Sequence, residues 1–229
     1  MANLLFIISM VFGLGITLWA QYKVKRNFNK WSKVQAKSGL TGYQVAREIL
    51  NQNGLSEVYV EPVRGKLTDH YDPTSKTIRL SESVYDSHSI SAIAVAAHEC
   101  GHAIQHQQGY GALVFRHNMI PILNITSGMA PLFLIAGILF QLSGMLVLGI
   151  AFFAVVVLFH VVTLPVEFNA SSRAKQIMTK SNMIRGIEEE RGVNKVLGAA
   201  AFTYVAAALV ALMELLRYLF ILFLQQNDD

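Results

Sequence analysis

Cysteine and charge are what this sequence has least of. Among 229 residues Cys100 is the single cysteine, so no intrachain disulfide can form and nothing argues for an oxidising compartment. Charged residues make up 15% of the chain, 19 Lys and Arg against 15 Asp and Glu. A net charge of +4 without a basic, aromatic-laced patch is poor ground for nucleic-acid binding. No cation precedes the first apolar run, which argues against a cleaved signal peptide. No internal repeat or low-complexity tract is present. What is abundant is apolar: 53% of the residues are hydrophobic, a share that points to a membrane.

The apolar residues fall into long runs. Residues 4–20 form the first, closed by Trp19 and Tyr22 as interfacial anchors. Lys23, Lys25, Arg26, Lys30, Lys33 and Lys37 all follow it. The positive-inside rule then predicts an uncleaved anchor over 1–22, its amino end outside and the next residues cytoplasmic. Residues 119–165 hold two more runs, 119–142 and 145–165, joined at Ser143 and Gly144 with no charge between them. They predict a transmembrane hairpin with an external tip, returning the chain to the cytoplasm near Glu167. Pro121, Asn124, Pro131 and His160 predict irregular helices there. Residues 166–195 are polar and basic, hence cytoplasmic, and 196–224 is a fourth span in which Glu214 and Arg217 stand three apart, placed to pair. The tail, 225–229, carries no cation and is expected outside.

Between anchor and hairpin, residues 23–115 read as a small cytoplasmic piece. A helix over 41–53 is predicted from Thr41 as N-cap and Gly54 as stop. Strands are predicted at 57–62 and 77–80, with 72–75 as a turn between them. Ser89 is placed to cap a further helix that ends near Gly109. This piece is too small to bury a core of its own and leans on the membrane helices.

That last helix carries the chemistry. His98 and His102 lie four residues apart, roughly 40° around a helix and on one face, able to reach one cation together. Glu99 sits one step around, placed to approach a water on that metal as general base. No charged residue other than Glu99 lies between Ser91 and Arg116, and two histidines and a glutamate on a dry helix are costly without a metal. Cys100 points to another side and reads as a small packing residue. The run Val95–Ile104, in which every flanking residue is small or apolar, resembles the active-site helix of the zincin metallopeptidases. The form that adds a third histidine after a glycine turn is excluded, since positions 105 and 108 are Gln105 and Gln108.

A catalytic zinc needs three protein ligands and an open position. Glu167, His70, His106, His88 and Asp72 are the candidates for the third. Topology favours Glu167, because an even number of crossings returns it to the side that holds the two histidines. His70, Tyr71 and Arg173 remain as candidate donors to a tetrahedral oxyanion. The strand at 77–80 is a candidate edge for an extended substrate.

Taken together, Asp69-His70-Tyr71-Asp72-Pro73, His98-Glu99-Cys100-Gly101-His102-Ala103-Ile104-Gln105-His106 and Leu164-Pro165-Val166-Glu167-Phe168-Asn169-Ala170-Ser171-Ser172-Arg173-Ala174 resemble the YugP-type membrane zinc metallopeptidases of bacteria. The likeness covers nearly the whole chain. More distantly the layout is similar to the HtpX-like and prenyl-protein (CAAX) endopeptidases, whose third ligand is also a glutamate beyond a pair of membrane helices. Those relatives carry an aspartate four residues after that glutamate to orient a ligand histidine, where this chain has Ser171. Asn169, Asp69 and Asp72 are the nearest residues of suitable character.

The expected fold class is α+β, mostly α, an integral membrane protein with about four transmembrane helices and a small zincin-like cytoplasmic catalytic domain. The expected function is zinc-dependent hydrolysis of peptide bonds in membrane or membrane-proximal polypeptides, in a bacterial cell membrane. Zn²⁺ is the expected cofactor, His98, His102 and Glu167 its ligands, and Glu99 the base. The expected partners are a polypeptide and the lipid bilayer, with no nucleic acid; oligomeric state is not legible. A zinc-binding membrane scaffold without turnover is the alternative.

Overall fold

The structure, a computed structural model, describes residues 2–227 and the side chains of residues 7–226. Met1 of the predicted anchor, and Asp228 and Asp229 of the predicted external tail, lie outside the described residues. The chain is mostly helical, with a small sheet. Helix α1 spans Ala2–Trp31 and α2 Gly42–Gln52; strands β1, β2 and β3 are Tyr59–Val63, His70–Asp72 and Thr77–Ser81. Helices α3 (Glu82–Tyr85), α4 (Ile90–Gln107), α5 (Gly111–Leu139), α6 (Ser143–Lys180) and α7 (Ile187–Asn227) follow. Four of these, α1, α5, α6 and α7, are long and apolar enough to cross a membrane.

The backbone divides into two compact units. One comprises residues up to 19, 114–165 and 203 onward. Its outward side chains are large and apolar: Leu132 is 63% exposed, Ile135 62%, Leu139 70% and Phe140 65%. Apolar surface of this extent is stable in lipid and costs about 25 cal/mol per Å² in water. Within the hairpin, Ala130, Leu134, Leu146 and Ile150 are buried together. The two helices approach so closely at Gly137 that a Cβ there would stand 2.5 Å from the Leu146 nitrogen, the close approach that small residues permit between membrane helices. Glu214 and Arg217 form the expected pair, Nη2 to Oε2 at 2.5 Å and Nη1 to Oε1 at 3.2 Å. The expected irregularity does not break either helix. Helix runs unbroken through Pro121, Pro131 and Pro165, because in an apolar surrounding every further backbone group released from the helix would go unsatisfied.

The other unit comprises 20–113 and 166–202. Ile49, Leu50, Ile78, Leu80, Ile90, Ile93 and Leu197 fill its core. Helix α2 begins with a reciprocal cap: the Gln44 backbone N–H donates to Thr41 Oγ1 and the Thr41 N–H to Gln44 Oε1. Arg47 on the same helix donates to the carbonyls of Val58 at 2.7 Å and Leu55 at 3.0 Å, closing the loop that leads into the sheet.

The sheet has three strands where two were expected, in the order β1-β3-β2. Strand β3 pairs in parallel with β1, Tyr59 opposite Thr77, and antiparallel with β2, Tyr71 opposite Ile78. Only three residues long, β2 is too short to show alternation in sequence. The turn after it is held as predicted by Asp72, which accepts from the Thr74 N–H and the Ser75 hydroxyl. Because β3 is the central strand, the expectation that residues 77–80 offer a free edge is overturned. The edges belong to β1 and β2. The polar stretch 166–195 is also more regular than its composition suggests: it is the end of α6, a turn over 181–186, and the start of α7.

Candidate metal centre

Helix α4 is started by Ser89, whose hydroxyl accepts the Ala92 N–H at 3.3 Å, and ends before Gly109, which has the positive φ of a helix stop. It is buried nearly all round, and alanines at 92, 94, 96, 97 and 103 with Gly101 supply many of its buried positions, so neighbouring backbone can come close. Helix α6 does so at Gly101. A Cβ on that residue would lie 2.6 Å from the Ala170 carbonyl oxygen and 3.1 Å from its Cα. Three residues before Ala170 on α6 is Glu167; three before and one after Gly101 on α4 are His98 and His102. The glycine contact thereby sets the carboxylate against the imidazoles.

The three ligand-type atoms converge. His98 Nε2 is 3.2 Å from Glu167 Oε2 and 3.2 Å from His102 Nε2, and His102 Nε2 is 3.5 Å from Glu167 Oε2. A tetrahedral zinc with bonds of about 2.0–2.1 Å holds its ligand atoms about 3.3–3.4 Å apart. The triangle therefore has the edge lengths of one face of such a site. The far ring nitrogens support the same reading: His98 Nδ1 faces Ser171 Oγ at 3.1 Å, and His102 Nδ1 faces Gln105 Oε1 at 3.0 Å. With protons on both Nδ1 atoms, two Nε2 lone pairs and a carboxylate oxygen face one another, an arrangement that a cation satisfies and that is otherwise repulsive. His98, His102 and Glu167 are positioned to bind a metal ion.

Glu99 is buried, and no hydrogen bond to its carboxylate is found among the described residues. Burial pushes its pKa up, and the neighbouring His98 and His102 only partly oppose that. For His102, burial acts downward but is outweighed by its contact with Glu167 and the charge of Glu99, leaving it above its ordinary value.

The remaining candidates are engaged elsewhere. Asp69 accepts from the Ser81 N–H at 2.7 Å and the Ser81 hydroxyl at 3.1 Å, and burial raises its pKa. Asp72 is held by its turn and by Arg79 at 3.3 Å. Neither takes the place of the aspartate missing at position 171; Ser171 itself meets His98, and Gln105, unforeseen in that role, meets His102. His70 is exposed and bonds to the Thr68 carbonyl at 2.8 Å, and His88 bonds to the Gly39 carbonyl at 2.7 Å. The Tyr71 hydroxyl meets His106 Nδ1 at 2.9 Å, and burial pushes that phenol up to about 12. Arg173 donates to Asn169 and Gln108, both at 2.6 Å. Cys100 is buried, its thiol directed at the Ala46 carbonyl and raised by burial, the packing role expected of it.

No solved structure matches the chain. A curated protein of Bacillus subtilis (strain 168), named "Putative membrane protease YugP", is 58% identical over 226 residues, covering 99% of this chain and 100% of its own. With its four apolar helices, this chain is a membrane protein. A family model described as "Putative neutral zinc metallopeptidase" matches residues 6–223, and by that match the chain belongs to this zinc metallopeptidase family.

Proposed function

We propose that this protein is a membrane-embedded zinc endopeptidase in which His98, His102 and Glu167 hold the metal and Glu99 is the general base. The observation that carries this reading is the triangle of two imidazole nitrogens and one carboxylate oxygen, with edges of 3.2–3.5 Å, beside a buried glutamate. Zinc, when bound, supplies a Lewis acid that makes water acidic and polarises a peptide carbonyl. Glu99 takes the proton of the attacking water and passes it to the amide nitrogen as the C–N bond breaks. A carboxylate raised by burial is suited to this, since it binds the proton more firmly than an exposed one and still releases it to the amine. Strand β2, paired only with β3 among the described residues, offers an edge to an extended polypeptide.

The layout proposed is an anchor at 1–22, a hairpin at 119–165 and a last span at 196–224. The zincin-like catalytic parts, 23–115 and 166–195, face the cytoplasm. The cations that follow the first span and fill 166–195 support that orientation. Substrates are then membrane or membrane-proximal polypeptides.

The test is Glu99→Gln in detergent-solubilised protein, followed by zinc content and by cleavage of a fluorogenic peptide library. The expected result is zinc at the wild-type level with cleavage reduced by at least about 10²-fold. Wild-type protein that holds zinc and cleaves nothing would instead identify a zinc-dependent scaffold.

A further inference from the structure

Gln105 does not bind the metal in the proposed site, yet it is completely buried and uses both ends of its amide. We infer that Gln105 is a positioning residue, whose amide dictates which nitrogen of His102 carries the proton and so leaves Nε2 free for the metal. The inference rests on the proposed ligand set.

The polarity of the site can be traced from a group that has no ambiguity. A guanidinium only donates. Arg173 Nε lies 2.6 Å from the Asn169 side chain, so the atom facing it is the carbonyl oxygen, Oδ1. That oxygen also faces Gln105 at 2.9 Å, so the Gln105 atom there is the donor, Nε2. The backbone carbonyl of Val166, an obligatory acceptor, meets the same Nε2 at 2.8 Å and requires the same orientation independently. The other end of the amide is then Oε1, an acceptor, 3.0 Å from His102 Nδ1. Nδ1 must carry the proton. In neutral imidazole the other nitrogen is then a bare lone pair, and that nitrogen is the one facing His98 and Glu167 at 3.2 and 3.5 Å. Gln108 steadies the far end by accepting from Arg173 at 2.6 Å.

An amide here does what a carboxylate commonly does for a ligand histidine, without adding a negative charge. It also ties the tautomer to the packing of α6 on α4, since two of its three bonds reach α6.

The test compares Gln105→Met, which keeps the bulk and removes donor and acceptor, with Gln105→Glu, which keeps the acceptor. Three quantities are read on detergent-solubilised, full-length protein. They are the zinc Kd by chelator competition, the visible spectrum of the cobalt-loaded form, and the thermal midpoint of the metal-free form. Both variants lose the donor to Val166 and Asn169, so both lower the midpoint. The inference requires a split in the metal readouts: the Kd rises about 10–100-fold in Gln105→Met with an altered cobalt spectrum, and stays within about threefold of wild type in Gln105→Glu. Equal zinc affinity in Gln105→Met and wild type overturns it, as does equal weakening in the two variants, which marks Gln105 as a packing residue. Wild-type protein that binds no zinc overturns the ligand set and this inference together.

Discussion

Replacing Gly101 by alanine adds one methyl group at the contact that holds Glu167 against the histidines. The new Cβ would stand 2.6 Å from the Ala170 carbonyl oxygen, where ordinary contact begins near 3.4 Å, so the helices must part there by about 0.8 Å. Neither side can rotate away, because the clash is with helix backbone on α6 and the methyl has no torsion to relieve it. The displacement is carried three residues along each helix to the ligand triangle. There the His98 to Glu167 separation of 3.2 Å grows toward about 4 Å, beyond the about 3.3–3.4 Å that a tetrahedral zinc spans. Overpacking of this kind costs about 1–3 kcal/mol of stability. Zinc affinity is expected to fall by more than the about 10–100-fold that follows loss of an outer hydrogen-bond partner, since a proposed ligand itself is withdrawn. Chelator competition on the solubilised variant reads the affinity, and circular dichroism during heating reads the fold. A Gly101→Ala protein with wild-type zinc Kd and wild-type melting would refute the claim that this approach sets the site.

The apparent zinc affinity of the wild type should drop by about tenfold per pH unit once His102 is protonated, because proton and metal compete for Nε2. As His102 is raised above 6.5, the fall begins above that pH in a zinc titration across pH 5 to 9; affinity flat down to pH 5 would contradict it. Cys100, buried and with its thiol pushed up by burial, should resist alkylation by iodoacetamide at pH 8 in folded protein and react fully in guanidinium, as mass spectrometry would show. Glu189, also buried, accepts the backbone N–H groups of Lys37 at 2.6 Å and Arg185 at 2.5 Å. Its change to alanine leaves two donors without an acceptor and should cost about 1–3 kcal/mol in denaturant unfolding, while zinc Kd stays unchanged.

Much of the site is local in the chain. Two histidines four apart share a helix face whatever surrounds them, and a capping serine before small residues makes that helix. The caps at Thr41 and Ser89 and the turn at Asp72 were legible for the same reason, each being a bond between residues two or three apart. Strand β2 was not, since three residues carry too little pattern, and the central place of β3 was not, since strand order depends on pairings that alternation does not encode. The helical ends of α6 and α7 were read only as polar segments because polarity ends a membrane run without ending a helix.

Composition and hydrophobic run length were enough to indicate a membrane protein, and the motif on α4 was enough to indicate a metal. Both are properties of neighbouring residues. Which group takes the outer nitrogen of His98 was decided only by tertiary structure: Ser171 rather than an aspartate, brought into place by a glycine that lets two backbones nearly touch. For His102 the neighbour Gln105 is local, and only its orientation is set by Val166 and Asn169 on α6. The physical reason is range. A hydrogen bond across 73 residues depends on how two helices lie against each other, and that is settled by the packing of the whole unit.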